Sequence, residues 1–302
     1  MELPLPPAEP RRLAFLGTPH DAVRPLQALV EAGHHVAMVV TAPDRRRGRG
    51  GASSPTPVKA AAVELSLPVT HQVDEILEAD VDLGIVVAFG EIIRPHVLAR
   101  VPMVNIHFSL LPRWRGAAPV ERAILAGDEI TGVCLMQMEE GLDTGGVYAS
   151  AEVEIGADDT AGSVRERLGD VGTELLVAQL AAGEWRATPQ EGEPVYAHKL
   201  TVDDRSLDWK GPAAEVHRVV RIGDAHTTFR GERFKVHRAS LAEVSGRELG
   251  PGEIGRESGA VEVGCGTGAL RLEEVQAAGR ARQPADAWAN GAQPLPGERL
   301  GG

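Results

Sequence analysis

Along the first half of the chain, short apolar runs alternate with segments whose apolar residues recur every three or four positions. That is the rhythm of strands and amphipathic helices taken in turn. Leu13–Leu16 reads as a strand, and Thr18-Pro19 as a helix start with proline at the first helical position. Ala22–Glu31 is the helix and Gly33 ends it. His35–Thr41 is a β-branched strand, Val58–Leu65 a helix, Pro68–Thr70 a short strand and Leu83–Ala88 a strand apolar throughout, hence central and buried. Ile92–Leu98 reads as a short helix, Met103–His107 as a strand and Ala117–Ala126 as the helix behind it. Strand–helix–strand units in this order predict an open α/β fold with a mostly parallel sheet. Ligands of such sheets bind beyond the carboxyl ends of the strands.

Thr131–Met138 and Val147–Ile155 read as two further strands separated by the glycine-rich Gly141–Gly146, and Thr160–Ala182 as a long helix. Pro189–Asp208 is polar and charged, which suits a linker. Beyond Lys210 the pattern changes to one helix (Pro212–Arg221) and then short strands: Thr227–Phe229, Phe234–Arg238, one at Ile254, Val261–Val263 and Leu270–Leu272. Short strands between glycine-rich turns suggest a small β domain. The expected organisation is a loose, proline-rich tail over 1–10, an α/β domain over 11–188, a linker over 189–208 and a small β domain over 209–302. The tail lacks the basic start and apolar stretch of a secretory signal.

A chain of 302 residues has room for about two cores. No apolar run approaches the roughly 20 residues of a membrane helix. Cys134 and Cys265 stand far apart, without metal-type spacing. Cys134 falls in an apolar strand, so core thiols and a cytoplasmic protein are expected rather than a disulfide framework. The net charge of −12 argues against nucleic acid until its distribution is examined. From Ser206 onward the chain carries 13 basic and 13 acidic residues, so the whole excess lies before it. Arg218, Arg221, Arg230, Arg233, Lys235 and Arg238 stand against Asp224 and Glu232 within 218–238. Arg45, Arg46, Arg47, Arg49 and Lys59 stand against Asp44 within 41–59. Two basic islands on an acidic body suit local docking to a phosphate backbone. For 218–238 taken alone, arginines that only solvate a strand surface remain the alternative.

The densest chemistry is Val104-Asn105-Ile106-His107-Phe108-Ser109-Leu110-Leu111-Pro112-Arg113-Trp114-Arg115-Gly116-Ala117-Ala118-Pro119. Side chains at i and i+2 of a strand share a face, so the Asn105 amide and His107 imidazole can converge on one small group. The strand then breaks into a loop punctuated by proline and glycine, where sites are exposed. These residues resemble the 10-formyltetrahydrofolate-dependent formyltransferases, and RWRGAAP resembles the branch of that family whose acceptor is initiator methionyl-tRNA. The resemblance runs from Phe15-Leu16-Gly17-Thr18-Pro19 through Thr41-Ala42-Pro43-Asp44-Arg45, Gly48-Arg49-Gly50 and Pro57-Val58-Lys59. It continues in Met136-Gln137-Met138 and Gly141-Leu142-Asp143-Thr144-Gly145.

Formyl transfer from N10 of a reduced folate to an amine needs a neutral amine, a stabilised tetrahedral oxyanion and a proton for the leaving nitrogen. An amide and an imidazole on one strand face can supply hydrogen bonds to the oxyanion, about 2.7–4 kcal/mol for each well-aimed donor. An imidazole also relays protons near neutral pH. Asp143, between glycines, would by itself be a turn residue; the resemblance makes it the third member of a catalytic trio with Asn105 and His107. It also implies folate contacts from Ser109, Leu110, Leu111 and Pro112 and a pterin pocket that includes Phe89, Gly90 and Ile92. It implies a Rossmann-like catalytic domain followed by an OB-like barrel. The basic loop with Arg45, Arg46, Arg47 and Arg49 would reach the acceptor end of tRNA, and Arg233 and Arg238 would contact tRNA from the C-terminal domain. The donor folate is a cosubstrate, no metal is needed, and a monomer that does not touch membranes is expected.

Two departures bear on tRNA docking. Gly51-Ala52 stand where further basic or bulky residues are expected, and Ile222–Phe229 lacks the usual proline and tryptophan. A glycine-rich Val263-Gly264-Cys265-Gly266-Thr267-Gly268 copies the signature of S-adenosylmethionine-dependent methyltransferases. Only 34 residues follow it, too few for the rest of such a sheet, so it reads as a turn. A formyltransferase acting on an amino sugar and a catalytically inactive tRNA-binding protein are the competing readings. The basic loop speaks against the first and the complete trio against the second.

Overall fold

Seven strands form the sheet that positions the site: β1 (Leu13–Gly17), β2 (Val36–Val40), β3 (Val69–Thr70), β4 (Leu83–Val87), β5 (Met103–His107), β6 (Ile130–Gln137) and β7 (Val147–Glu154). Their spatial order is β7-β6-β5-β4-β1-β2-β3. From β5 to β3 all neighbours are parallel, while β6 runs antiparallel to β5 and β7 to β6. The computed structural model of the chain describes residues 3–46, 53–242, 248–257 and 259–302. They fold as two units: Met1–Val120, Ile130–Glu154 and Val164–Ala197 make the first, and Glu121–Glu129, Ile155–Ser163 and His198–Gly302 the second. The chain passes from one to the other for good after Ala197, inside the segment expected to link two domains.

Every residue of β1 and β4 is buried, as strands covered on both faces require. Helices α1 (Val23–Glu31), α2 (Pro57–Glu64), α3 (Pro95–Leu98), α4 (Pro119–Ala126) and α5 (Ala161–Ala182) follow the expected order. In α1, Pro25, Leu26, Ala28 and Leu29 are the buried face; each leucine contributes about 1.5–3 kcal/mol by leaving water. Gly33 (φ 82°) stops the helix, with its N–H on Val30 O and the His34 N–H on Leu29 O. In α2 the Thr56 hydroxyl caps the Lys59 N–H at 3.1 Å with Pro57 at the first helical position. The start at Thr18-Pro19 differs from expectation. Pro19 precedes a single 3-10 turn, His20–Ala22, and Thr18 caps nothing there. Its hydroxyl turns sideways, donating to Phe89 O at 3.3 Å and lying 3.4 Å from the Ala42 N–H. At the chain's beginning, residues 3–10 hold no regular element, but Leu3 packs on the cluster that contains Leu16, Val86 and Phe89.

The second unit carries α6 (Ala213–Arg221) and an antiparallel sheet in the order β8 (His226–Phe229), β9 (Glu232–Leu241), β12 (Ala269–Ala277), β11 (Ala260–Gly264), β10 (Ile254–Glu257). The chain's last residues tie its edges: Leu300 bridges Phe229 of β8, and Arg299 bridges Glu253 next to β10. Both edge strands thereby lose part of their unpaired backbone, which gives the sheet its barrel-like closure. The expected short strands are longer in two places, because β9 and β12 alternate polar and buried residues well past their apolar centres. A final helix, α7 (Ala285–Ala292), was not legible in an alanine-rich stretch with few large apolar residues. Trp288 carries it, packing on Phe229 (5.1 Å between ring centroids) and Phe234 (4.7 Å). The glycine-rich 264–268 segment is indeed a turn, between β11 and β12. Cys134 and Cys265 are free and buried.

His217 is buried on α6 and donates its Nε2–H to Ala239 O at 2.9 Å. Burial, reinforced by nearby Arg221, lowers its pKa from the ordinary 6.5, although the Ala239 bond and the Asp158 and Glu273 charges oppose the shift. The fold favours the neutral ring, so this contribution is complete above about pH 6.5 and is lost as pH falls through the lower folded value. As pH is lowered from about 7.5 to about 5.5, protection against hydrogen exchange in α6 and β9, taken relative to the intrinsic rate at each pH, is expected to fall. A His217→Gln variant, which keeps a donor but cannot titrate, should lack that pH response.

Candidate active site

β5 is flanked on both sides, with Asn105 opposite Val86 of β4 and Met136 of β6, and His107 opposite Cys134 of β6. The pairing fixes the strand, and the shared face of Asn105 and His107 follows from their spacing. Asn105 is half-buried, and among the described residues its side-chain amide has no hydrogen-bond partner. His107 is 6% exposed. Its Nε2 lies 2.9 Å from Trp114 O. A carbonyl only accepts, so Nε2 carries a proton and Nδ1 is the nitrogen left to exchange one. Nδ1 faces Asp143 Oδ2 at 3.7 Å. Burial pushes the Cys134 thiol above its ordinary pKa, leaving a neutral packing group beside the ring rather than a thiolate.

Asp143 reaches His107 from the turn between β6 and β7. Gly145 makes that turn tight: a Cβ there would fall 1.9 Å from Gln137 O. Asp143 itself has φ 52°, and its Oδ2 accepts the Gly116 N–H at 2.7 Å. Trp114 is likewise left-handed (φ 62°) and buried, with the Arg113 guanidinium 4.4 Å from its ring centroid. The Arg115–Gly116 backbone pairs with Tyr196–Ala197. The sequence singled out Asn105 and His107, and the resemblance Asp143, while the Trp114 carbonyl that holds His107 and the Gly116 N–H that holds Asp143 went unread. Gln190 was missed altogether. It lies in the stretch taken for a linker, yet bonds both Arg115 and the Asp143 turn.

A cleft of about 810 Å³ opens at the carboxyl ends of β1, β2 and β4. Thr18–His20, Ala42, Ser54–Pro57 and Ala88–Glu91 line it. From β1 the sheet grows one way through β2 and β3 and the other way through β4 and β5. The cleft therefore sits where strand order reverses, the usual ligand position in this architecture. Of the expected folate residues, Phe89 and Gly90 line it. The Phe89 ring belongs to the core, so backbone faces the space, whereas Ile92 is 90% exposed. Ser109 is fully buried and donates its hydroxyl to Arg113 O at 2.6 Å. Leu110, Leu111 and Pro112 are half-buried in the same loop, and the Leu111 N–H lies 3.5 Å from Cys134 Sγ.

The expected RNA-contacting residues fall in two places. Arg45–Arg46 pair as backbone with Ser53–Ser54; Arg47 and Arg49 lie outside the described residues. On β9, Arg233 and Lys235 alternate with buried Phe234 and Val236. A bulge at His237-Arg238 adds a residue, so Arg238 is exposed too before Ala239 turns inward. The patch is unequal in its commitments. Arg221 is spent on the carbonyls of Gly156 and Asp159, Arg230 pairs with Glu298, Lys235 with Asp224 and Arg238 with Glu273. Arg233 has no side-chain partner among the described residues.

The chain matches the formyl transferase family over residues 11–180 and the formyl transferase C-terminal domain over 199–293. It is 42% identical over 315 residues to the methionyl-tRNA formyltransferase of Heliobacterium modesticaldum, covering 96% of this chain and all of that one. The corresponding protein of Ruegeria pomeroyi is 42% identical over 306 residues, with the same coverage. Among solved structures, HypX from Aquifex aeolicus in complex with tetrahydrofolic acid superposes with a TM-score of 0.66 at 20% identity, over 93% of this chain and 47% of that one. That likeness concerns the fold.

Proposed function

The chain belongs to the formyl transferase family, and from that premise we propose that it transfers the formyl group of 10-formyltetrahydrofolate to the amino group of initiator methionyl-tRNA. The observation that carries the reading is the His107 ring held between Trp114 O and Asp143, on a strand that also presents the Asn105 amide, without a partner among the described residues. The neutral amine attacks the formyl carbon, and the carbonyl oxygen gathers negative charge. The Asn105 amide donates to it, joined by the His107 Nδ1–H once that nitrogen has taken the proton the amine gives up. Preorganised donors of this kind stabilise the transition state because they need not reorient as charge develops. The amine gives up a proton, the bond from carbon to N10 breaks, and N10 takes a proton; His107 Nδ1, with Asp143 beside it, carries protons through this exchange. No bond forms between the formyl group and the protein.

We place the donor in the cleft at Phe89, Gly90 and Ile92 and along Ser109, Leu110, Leu111 and Pro112. Backbone exposed at Gly90 (φ 79°) suits main-chain hydrogen bonds to a flat heterocycle. The acceptor tRNA would meet Arg45, Arg46, Arg47 and Arg49 near its aminoacyl end and Arg233 and Arg238 on the second unit. An initiator tRNA substrate puts the activity in the cytoplasm, with a monomer sufficient because the whole trio comes from one chain. An amino-sugar acceptor would leave the exposed basic face of β9 without a role.

Changing Arg45, Arg46, Arg47 and Arg49 together to Ala is expected to raise KM for methionyl-tRNA and leave KM for the folate within about threefold, since phosphate contacts act on the RNA alone. Equal weakening of both substrates would mean that the loop does not reach RNA. Arg233→Ala with Arg238→Ala should flatten the log–log salt dependence of tRNA binding by about one to two units. Arg233, which has no ion pair among the described residues, should give the larger share.

A further inference from the structure

Gln190 lies 47 residues beyond Asp143, outside every motif that carries the site, yet its amide is fully engaged there. Nε2 donates to Asp143 O at 2.9 Å and to Gly145 O at 2.8 Å. Oε1 accepts from Arg115 Nε at 3.0 Å and from its Nη2 at 2.7 Å. Two donors and two acceptor sites exhaust a primary amide, and the pattern fixes its orientation. Reversed, nitrogen would face the guanidinium and oxygen would face two carbonyls. The arrangement closes on itself through the next residue, because the Gly116 N–H donates to Asp143 Oδ2 at 2.7 Å. Asp143 is thereby gripped at its carboxylate through Gly116 and at its carbonyl through Gln190. It needs both holds, since a left-handed backbone at a non-glycine residue costs about 1–2 kcal/mol and persists only where its surroundings impose it. The carboxylate so held is the one that faces His107 Nδ1.

We propose that Gln190 is a positioning residue for formyl transfer: it touches no reacting atom and acts by holding Asp143 in register with His107. The proposal rests on the reading of Asp143 as catalytic, and the variants below separate the two. Gln190→Glu keeps an acceptor pair for Arg115 but has no N–H for the carbonyls of Asp143 and Gly145, so it opens one side of the clamp selectively. It is expected to lower kcat by about tenfold to 100-fold, because a misplacement of up to about 1 Å at a catalytic group costs on that scale. KM for both substrates should stay within about threefold, since neither substrate is bound by the clamp. Hydrogen exchange should quicken in peptides covering 113–118 and 141–146, with the unfolding midpoint near that of the wild type.

A residue that acts through Asp143 has little left to lose once the carboxylate is gone. In an Asp143→Asn background, Gln190→Glu should therefore cost less than about threefold. A wild-type kcat for Gln190→Glu, or the same fold-loss in both backgrounds, overturns the proposal. Where the Asp143→Asn background is too slow to time, unchanged exchange at 113–118 and 141–146 in Gln190→Glu overturns it as well. A severe Asp143→Asn beside an unaffected Gln190→Glu removes the positioning role alone. A wild-type rate in Asp143→Asn removes the catalytic reading and this proposal together.

Discussion

Replacing His107 with alanine lowers formyl transfer to methionyl-tRNA by about 100-fold or more, with KM for the folate little changed. Two losses combine. The oxyanion loses a donor, and the proton path through Nδ1 is cut. The same substitution leaves Trp114 O without the Nε2–H that now satisfies it. An unpaired buried carbonyl costs about 1–3 kcal/mol, so a lower unfolding midpoint is expected beside the kinetic defect. The two effects are separated by measuring kcat well below that midpoint. Activity within threefold of wild type at that temperature would take His107 out of the mechanism.

Asp143→Asn comes next in size, at about 100-fold or more in kcat. The asparagine oxygen can still accept the Gly116 N–H that Oδ2 now takes, and the Gln190 bonds to Asp143 O and Gly145 O involve only backbone. The turn therefore stays in place while the negative charge beside the imidazole disappears. Steady-state rates and hydrogen exchange over 141–146 check both halves of this expectation. A large rate loss with unaltered exchange assigns the effect to charge; a rate loss that comes only with loosened exchange assigns it to a collapsed turn.

Much of the candidate site was legible because polar side chains set into an apolar strand leave a trace in sequence. Asn105 and His107 share a strand face by simple alternation, and β5 begins and ends where its apolar pattern does. The resemblance to a known family added Asp143, which periodicity alone would have left as a turn residue. What escaped notice acts through the main chain or by sideways contact. Trp114 contributes a carbonyl, Gly116 an N–H and Gly145 the absence of a Cβ, and none of these depends on a recognisable side-chain chemistry. Thr18 looked like a cap because a threonine before proline usually is one. Tertiary contact with Phe89 O claimed its hydroxyl instead. Gln190 sat in polar sequence, where a half-buried, four-bonded amide and a solvated one look alike. Helix α7 was hidden for a related reason: alanines give little amphipathic contrast, and one tryptophan packed on Phe229 and Phe234 does the anchoring.

The basic face of β9 shows how a count of charges overstates a surface. Six cations stand within 218–238, but ion pairs or backbone carbonyls already occupy Arg221, Arg230, Lys235 and Arg238. Exposed pairs of this kind contribute little to stability, so exchanging one for a phosphate is feasible. The exchange is still worth less than a contact made by a cation that starts without a partner.

The most direct test of the account is the mass of the aminoacyl group on methionyl-tRNA after incubation with an isotopically labelled 10-formyltetrahydrofolate. Wild-type protein is expected to add one labelled carbonyl to the α-amino group, and a chain carrying Asn105→Ala, His107→Ala and Asp143→Asn together to add none in the same time. An unmodified methionyl group with the wild-type protein, while an amino sugar in the same mixture gains the label, would contradict it.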